Sequence, residues 1–177
     1  MSKSAPPTKT HAAVIARLDP YWKIEAVNIV AVPGTALFLT MGQIGWVTLV
    51  PMLAAALLLG IGAAYWRFKV RQLRRVQPDQ GKVLHWIAWL QWPSLFLTLL
   101  GCLAMALGWL VPGQARGTPD RVAATVLAVL AALEYVNYYH RQLQHFDNLS
   151  DFRRMVAGKG FRQSWLARDL AALRKRS

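Results

Sequence analysis

The sequence predicts an all-α integral membrane protein, a four-transmembrane-helix bundle followed by basic amphipathic C-terminal helices on the cytoplasmic side. Three observations carry that prediction. Only 16% of the 177 residues are charged and 55% are hydrophobic, against about 25% charged in an ordinary soluble domain. The uncharged residues run in long blocks, the first from Ala26 to Trp66. The 21 lysines and arginines crowd alternate connections between those blocks. A soluble bundle would need a polar stripe on every helix, and "VTLVPMLAAALLLGIGAAY" has none.

Residues 1–25, "MSKSAPPTKTHAAVIARLDPYWKIE", lack the continuous apolar core and small-residue cleavage site of a signal peptide. They read as a retained cytoplasmic N-terminal segment with an interfacial helix. A helix needs about 20 residues to cross hydrocarbon, so residues 26–141 hold four spans. The first two cover about 26–42 and 46–66, joined by a turn at "MGQIGW". The third covers about 83–111, and the fourth about 122–140, after the breaker-rich "VPGQARGTPD". Asp120 or Thr118 is the expected cap of the fourth, with Pro119 at its first position. Pro33 and Pro93 should bend or interrupt their helices. Small residues recur at four-residue spacing as Ala56, Gly60, Ala64, as Ala104, Gly108 and as Ala124, Ala128, Ala132. Such stripes let backbones approach, either within the bundle or between copies in a homo-oligomer.

Orientation follows from the basic residues. Four precede the first span, six lie between the second and third, and nine follow the fourth; the remaining two are Arg116 and Arg121. With four spans, all three rich segments fall on one side. Both termini are therefore expected in the cytoplasm, in a bacterial-type cytoplasmic membrane. Tyr21, Trp22, Tyr65, Trp66, Trp86, Trp89, Tyr138 and Tyr139 mark the inner boundary as an interfacial belt, joined by Tyr135; Trp46 and Trp109 mark the outer one.

Residues 142–177 read as a basic helical tail. Ser150 would cap one short helix ending near Gly158–Gly160, and Ser164 a second with Leu166, Leu170 and Leu173 on one stripe beside Trp165. A cationic helix of this kind suits the surface of an anionic leaflet. The candidate contacts to anionic headgroups or phosphate are Arg67, Lys69, Arg71, Arg74, Arg75, Arg168, Arg174 and Lys175. Topology accounts for the net charge of +13, and no nucleic-acid-binding module is present, so no nucleic-acid partner is expected.

The chemistry-bearing stretch is "ALEYVNYYHRQLQHFD". On a helix, Glu134, Asn137, Tyr138, Arg141 and His145 share a face. Glu134 is the only acid inside a predicted span, apart from Glu25 at the mouth of the first. The antiparallel pairing of the third and fourth spans puts His85 near the depth of His140. These residues form a candidate polar cluster at the inner leaflet, with no catalytic residue assigned. His140 and His145 are five apart, neither HExxH nor ExxH occurs, and the single Cys102 excludes a cysteine zinc site. No metal or cofactor is predicted; metal or haem at His85 and His140 is the weaker alternative.

Three functions fit. The first is a non-catalytic accessory, anchoring or regulatory subunit of a membrane complex. The second is a small oligomeric transporter or channel with Glu134 as its proton or cation site. The third is a membrane enzyme acting on lipid-linked phosphate through Arg67, Arg71, Arg74, Arg75, His85, His140 and Glu134.

Overall fold

Backbone groups cannot stay unpaired in hydrocarbon, so each apolar block closes its hydrogen bonds within a helix. The computed structural model describes residues 9–74, 80–143 and 162–175. It is all-α: α1 (Lys9–Leu39), α2 (Trp46–Leu73), α3 (Gln80–Trp89), α4 (Gln91–Leu110), α5 (Thr118–Tyr139) and α6 (Trp165–Arg174). Among the described residues, four stretches are long and apolar enough to cross a membrane: Ala13–Leu39, Trp46–Leu73, Lys82–Leu110 and Thr118–Tyr139. Arg75, His145, Arg176 and the helix expected after Ser150 lie outside the described residues.

The first helix differs from expectation at its start. The interfacial segment and the first span are one helix from Lys9, and it continues through Pro20 and Pro33. A proline ring fixes φ at a helical value and removes one donor; here the helix absorbs both losses. Pro93 acts differently. It cannot donate to the Trp89 carbonyl and its ring crowds that group, so the third span divides at Leu90 into α3 and α4.

The turn after α1 falls where the glycines predict it. Met41 and Gly42 take φ of 50° and 72°. Gly42 N–H donates to the Leu37 carbonyl and Met41 N–H to that of Phe38, which closes the helix end with a left-handed cap.

α2 is the central helix, packed against α1, α4 and α5. Close approach uses the small residues of α4 and α5. A Cβ on Gly101 would lie 3.0 Å from Pro51 Cα, and one on Gly108 would lie 3.5 Å from Val47. Ala104, Ala124 and Ala128 are buried. The stripe on α2 has another role. Ala56, Gly60 and Ala64, with Ile29, Leu57 and Trp86, line an open apolar groove of about 500 Å³ beside α3.

The tyrosines correct the expected interfacial belt. Tyr65, Tyr135, Tyr138 and Tyr139 are buried, whereas Trp86 and Trp89 are exposed. Each of three phenols finds a partner inside the fold: Tyr65 donates to Asp169, Tyr138 to Glu25 and Tyr139 to the Ile87 carbonyl. A hydroxyl with a partner can be buried without loss, so these rings serve as core.

Candidate functional site

Acidic residues are scarce, and the fold uses them as ties. Asp19 on α1 pairs with Arg74 at the end of α2 at 2.9 Å, and with Lys23. Asp169 on α6 pairs with Lys69 of α2 at 2.6 Å while accepting from Tyr65 at 2.9 Å. Glu25 joins α1 to α5 through Tyr138. Asp120 joins the two turns at the opposite end of the bundle. Each of these four links segments that are distant in sequence.

Asp120 is the most deeply placed, with 1% of its surface exposed. Its Oδ1 accepts from Gly45 N–H at 3.0 Å and from Thr48 Oγ1 at 2.6 Å; its Oδ2 accepts from Arg116 N–H at 2.8 Å. The Thr48 hydroxyl also lies 2.8 Å from the Asp120 carbonyl. Neither Asp120 nor Thr118 is the N-cap of α5; Gly117 is, without a side-chain cap bond. The aspartate instead serves the neighbouring turn, where three donors outweigh one helix terminus.

The basic end is built around α6. Ser164 caps it, accepting from Ala167 N–H at 3.0 Å, as expected; its hydroxyl also donates to the Tyr138 carbonyl. Gln142 N–H donates to Arg162 at 2.9 Å and Ser164 N–H to His140 at 3.2 Å, with an isolated bridge between Arg141 and Gln163. Leu166 and Leu170 are buried where α6 meets α3 and α5. This corrects the expectation of a leucine stripe laid on lipid, because the bundle itself covers those side chains. What α6 presents outward is Trp165, half exposed, with the Arg168 guanidinium 4.1 Å above its ring.

Of the residues expected to meet headgroups, four besides Arg168 are engaged within the protein. Arg67 lies 5.5 Å over the Trp22 ring, Lys69 holds Asp169 and Arg74 holds Asp19. Arg174 donates to Gln91 at 2.9 Å. Arg71 and Lys175 are exposed.

The expected polar cluster is partly assembled. Glu134, Asn137 and Tyr138 share one face of α5. Asn137 donates to Glu134 at 3.5 Å and accepts from Leu143 N–H at 2.9 Å. The Tyr138 hydroxyl lies 3.0 Å from Glu25 Oε1, and Glu25 is close enough to Glu134 for their charges to interact. Glu25, at the start of the first span, therefore belongs to the site. His140 packs its ring 5.6 Å from that of Tyr135, and His85 is exposed on α3. Arg141 is exposed beside Gln163.

Gly62 makes this arrangement possible. A Cβ there would lie 2.0 Å from the Tyr138 hydroxyl, so the bare backbone of α2 admits the phenol to α1. Sequence reasoning missed Glu25 and Gly62 as members of the site. The available signal was Glu25 itself, an acid with no charged neighbour for the next 41 residues. No protein-family model, curated protein or solved structure matches the chain.

Proposed function

We propose that the chain is a non-catalytic accessory or anchoring subunit of a larger assembly, set in a bacterial-type cytoplasmic membrane with its basic end in the cytoplasm. The observation that carries this reading is the fixed presentation of α6. Two buried leucines, the Ser164 bonds and the Asp169–Lys69 pair hold the helix to the bundle, while Trp165 and Arg168 face outward. An exposed tryptophan stacked by arginine, on a helix already held in place, suits a docking anchor because little order is lost on binding.

The test is affinity purification from native membranes in several mild detergents, with Trp165→Ala and Arg168→Glu in parallel. A stoichiometric partner is expected with the parent chain and absent with both variants. Recovery of the isolated chain in every detergent would sink this reading.

The Glu25–Glu134 pair favours a second reading, a small oligomeric transporter or channel. Four spans enclose little space alone, so a homo-oligomer is required. Glu134→Gln should then abolish cation flux in liposomes at unchanged expression; unaltered flux removes the assignment.

A further inference from the structure

Two acidic side chains, Glu25 of α1 and Glu134 of α5, lie close enough to influence each other, and both approach the Tyr138 hydroxyl. Glu25 is 6% exposed. Its Oε1 accepts from Tyr138 at 3.0 Å, but its Oε2 is buried and has no hydrogen-bond partner. Glu134 and Tyr138, both from α5, act on Glu25, and Asn137 and Tyr138 act on Glu134. Where α2 passes the site it contributes Gly62, which carries no side chain. Charge in hydrocarbon is strongly unfavourable unless compensated, and two like charges side by side worsen the balance.

We propose that Glu25, Glu134 and the Tyr138 hydroxyl form a binding site for one monovalent cation, a proton or a sodium ion, held between the two carboxylates. The orphaned Oε2 of Glu25 is the atom this cation satisfies. Tyr138 fixes the other oxygen, and Asn137 steadies Glu134 from the same helix face. Either occupant leaves one negative charge where the empty pair has two. The site extends to α1 what the sequence placed on Glu134 alone, and it deepens the transporter reading without depending on it. A bound cation without flux leaves this inference standing and removes only transport.

The experiment uses the full chain in detergent. Infrared difference spectra are recorded across a pH titration at fixed sodium, and thermal melts are recorded in sodium against choline chloride at fixed pH. A proton occupant gives a carboxylic-acid carbonyl band near neutral pH that is lost in Glu25→Gln or Glu134→Gln. A sodium occupant gives no such band, but raises Tm by several degrees at saturating salt in the parent and in neither variant. The amide introduced by Glu25→Gln keeps an oxygen to accept from Tyr138, and the Glu134→Gln arm stands if the first variant does not fold. Absence of both the band and the sodium effect overturns the proposal.

Discussion

The Tyr138 hydroxyl reaches the Glu25 carboxylate, 3.0 Å away and 113 residues earlier in the chain, through a notch that α2 leaves at Gly62. Three helices thus meet at one hydrogen bond. A residue without a side chain decides whether the contact exists.

Gly62→Ala is the direct probe. The added Cβ would lie 2.0 Å from the hydroxyl and 2.5 Å from the ring carbon that bears it, so α5 must shift. Overpacking of this kind costs about 1–3 kcal/mol, and an unmade buried hydrogen bond costs about 1–3 kcal/mol more. Tyr138→Phe removes the same bond and the worst of the clash. The double variant should therefore lose less than the two singles combined. Thermal melts of the four proteins in one detergent check this, and additive losses would show that the notch and the bond are independent.

At the other end, Asp120 holds three donors from two turns. Asp120→Asn keeps one acceptor oxygen but faces a donor with another donor, leaving a buried N–H unmet at about 1–3 kcal/mol. Asp120→Ala strands all three and should cost more. Thr48→Val removes one donor and one shared bond, and should cost least. The expected order is Ala, then Asn, then Thr48→Val, read as midpoints of denaturant unfolding in mixed micelles. A larger loss for Thr48→Val than for Asp120→Ala would show that the carboxylate is not the hub.

These two sites show where sequence reading stopped. The spans were legible because hydropathy and charge need no partner: the run from Ala26 to Trp66 excludes water by itself. The Ser164 cap was legible because its acceptor role is local. Asp120 looked like a cap for its own helix, yet the groups that claim it include Gly45, 75 residues away. Tyr135, Tyr138 and Tyr139 looked like a membrane belt because aromatic preference averages over proteins, and only the fold supplies the partners that bury them. The leucine stripe of α6 reads alike for lipid and for protein. Asp169, the lone acid in that cationic helix, was the mark that a basic partner lies within the chain.

The docking of α6 should rest on its leucines more than on its ion pair. Lys69 and Asp169 are both partly exposed, and such pairs contribute about 0–1 kcal/mol; Tyr65 can still donate to an asparagine. Leu170→Ala loses buried surface worth about 2 kcal/mol or more. Hydrogen exchange over residues 162–175 should accelerate strongly in Leu170→Ala and weakly in Asp169→Asn. Raising the salt should speed exchange in the parent toward the Asp169→Asn level and leave Leu170→Ala little changed. Strong exchange in Asp169→Asn alone would reverse the ranking.

Orientation is open to direct measurement, since Cys102 is the only cysteine. Nineteen of the 21 basic residues lie in the three segments that four crossings bring to one end, where Asp19–Arg74 and Lys69–Asp169 already join those segments. A juxtamembrane lysine or arginine gains about 1 kcal/mol from an anionic leaflet, so that end is expected on the cytoplasmic side. In a Cys102→Ser background, Pro112→Cys reports the turn before α5 and Ala172→Cys reports α6; both positions are exposed and neither change alters charge. A membrane-impermeant maleimide added to intact cells should label Pro112→Cys only, and lysis should open Ala172→Cys. Labelling of Ala172→Cys alone would invert the protein. Labelling of both from outside would mean that α5 does not cross the membrane between them and the count of spans is wrong.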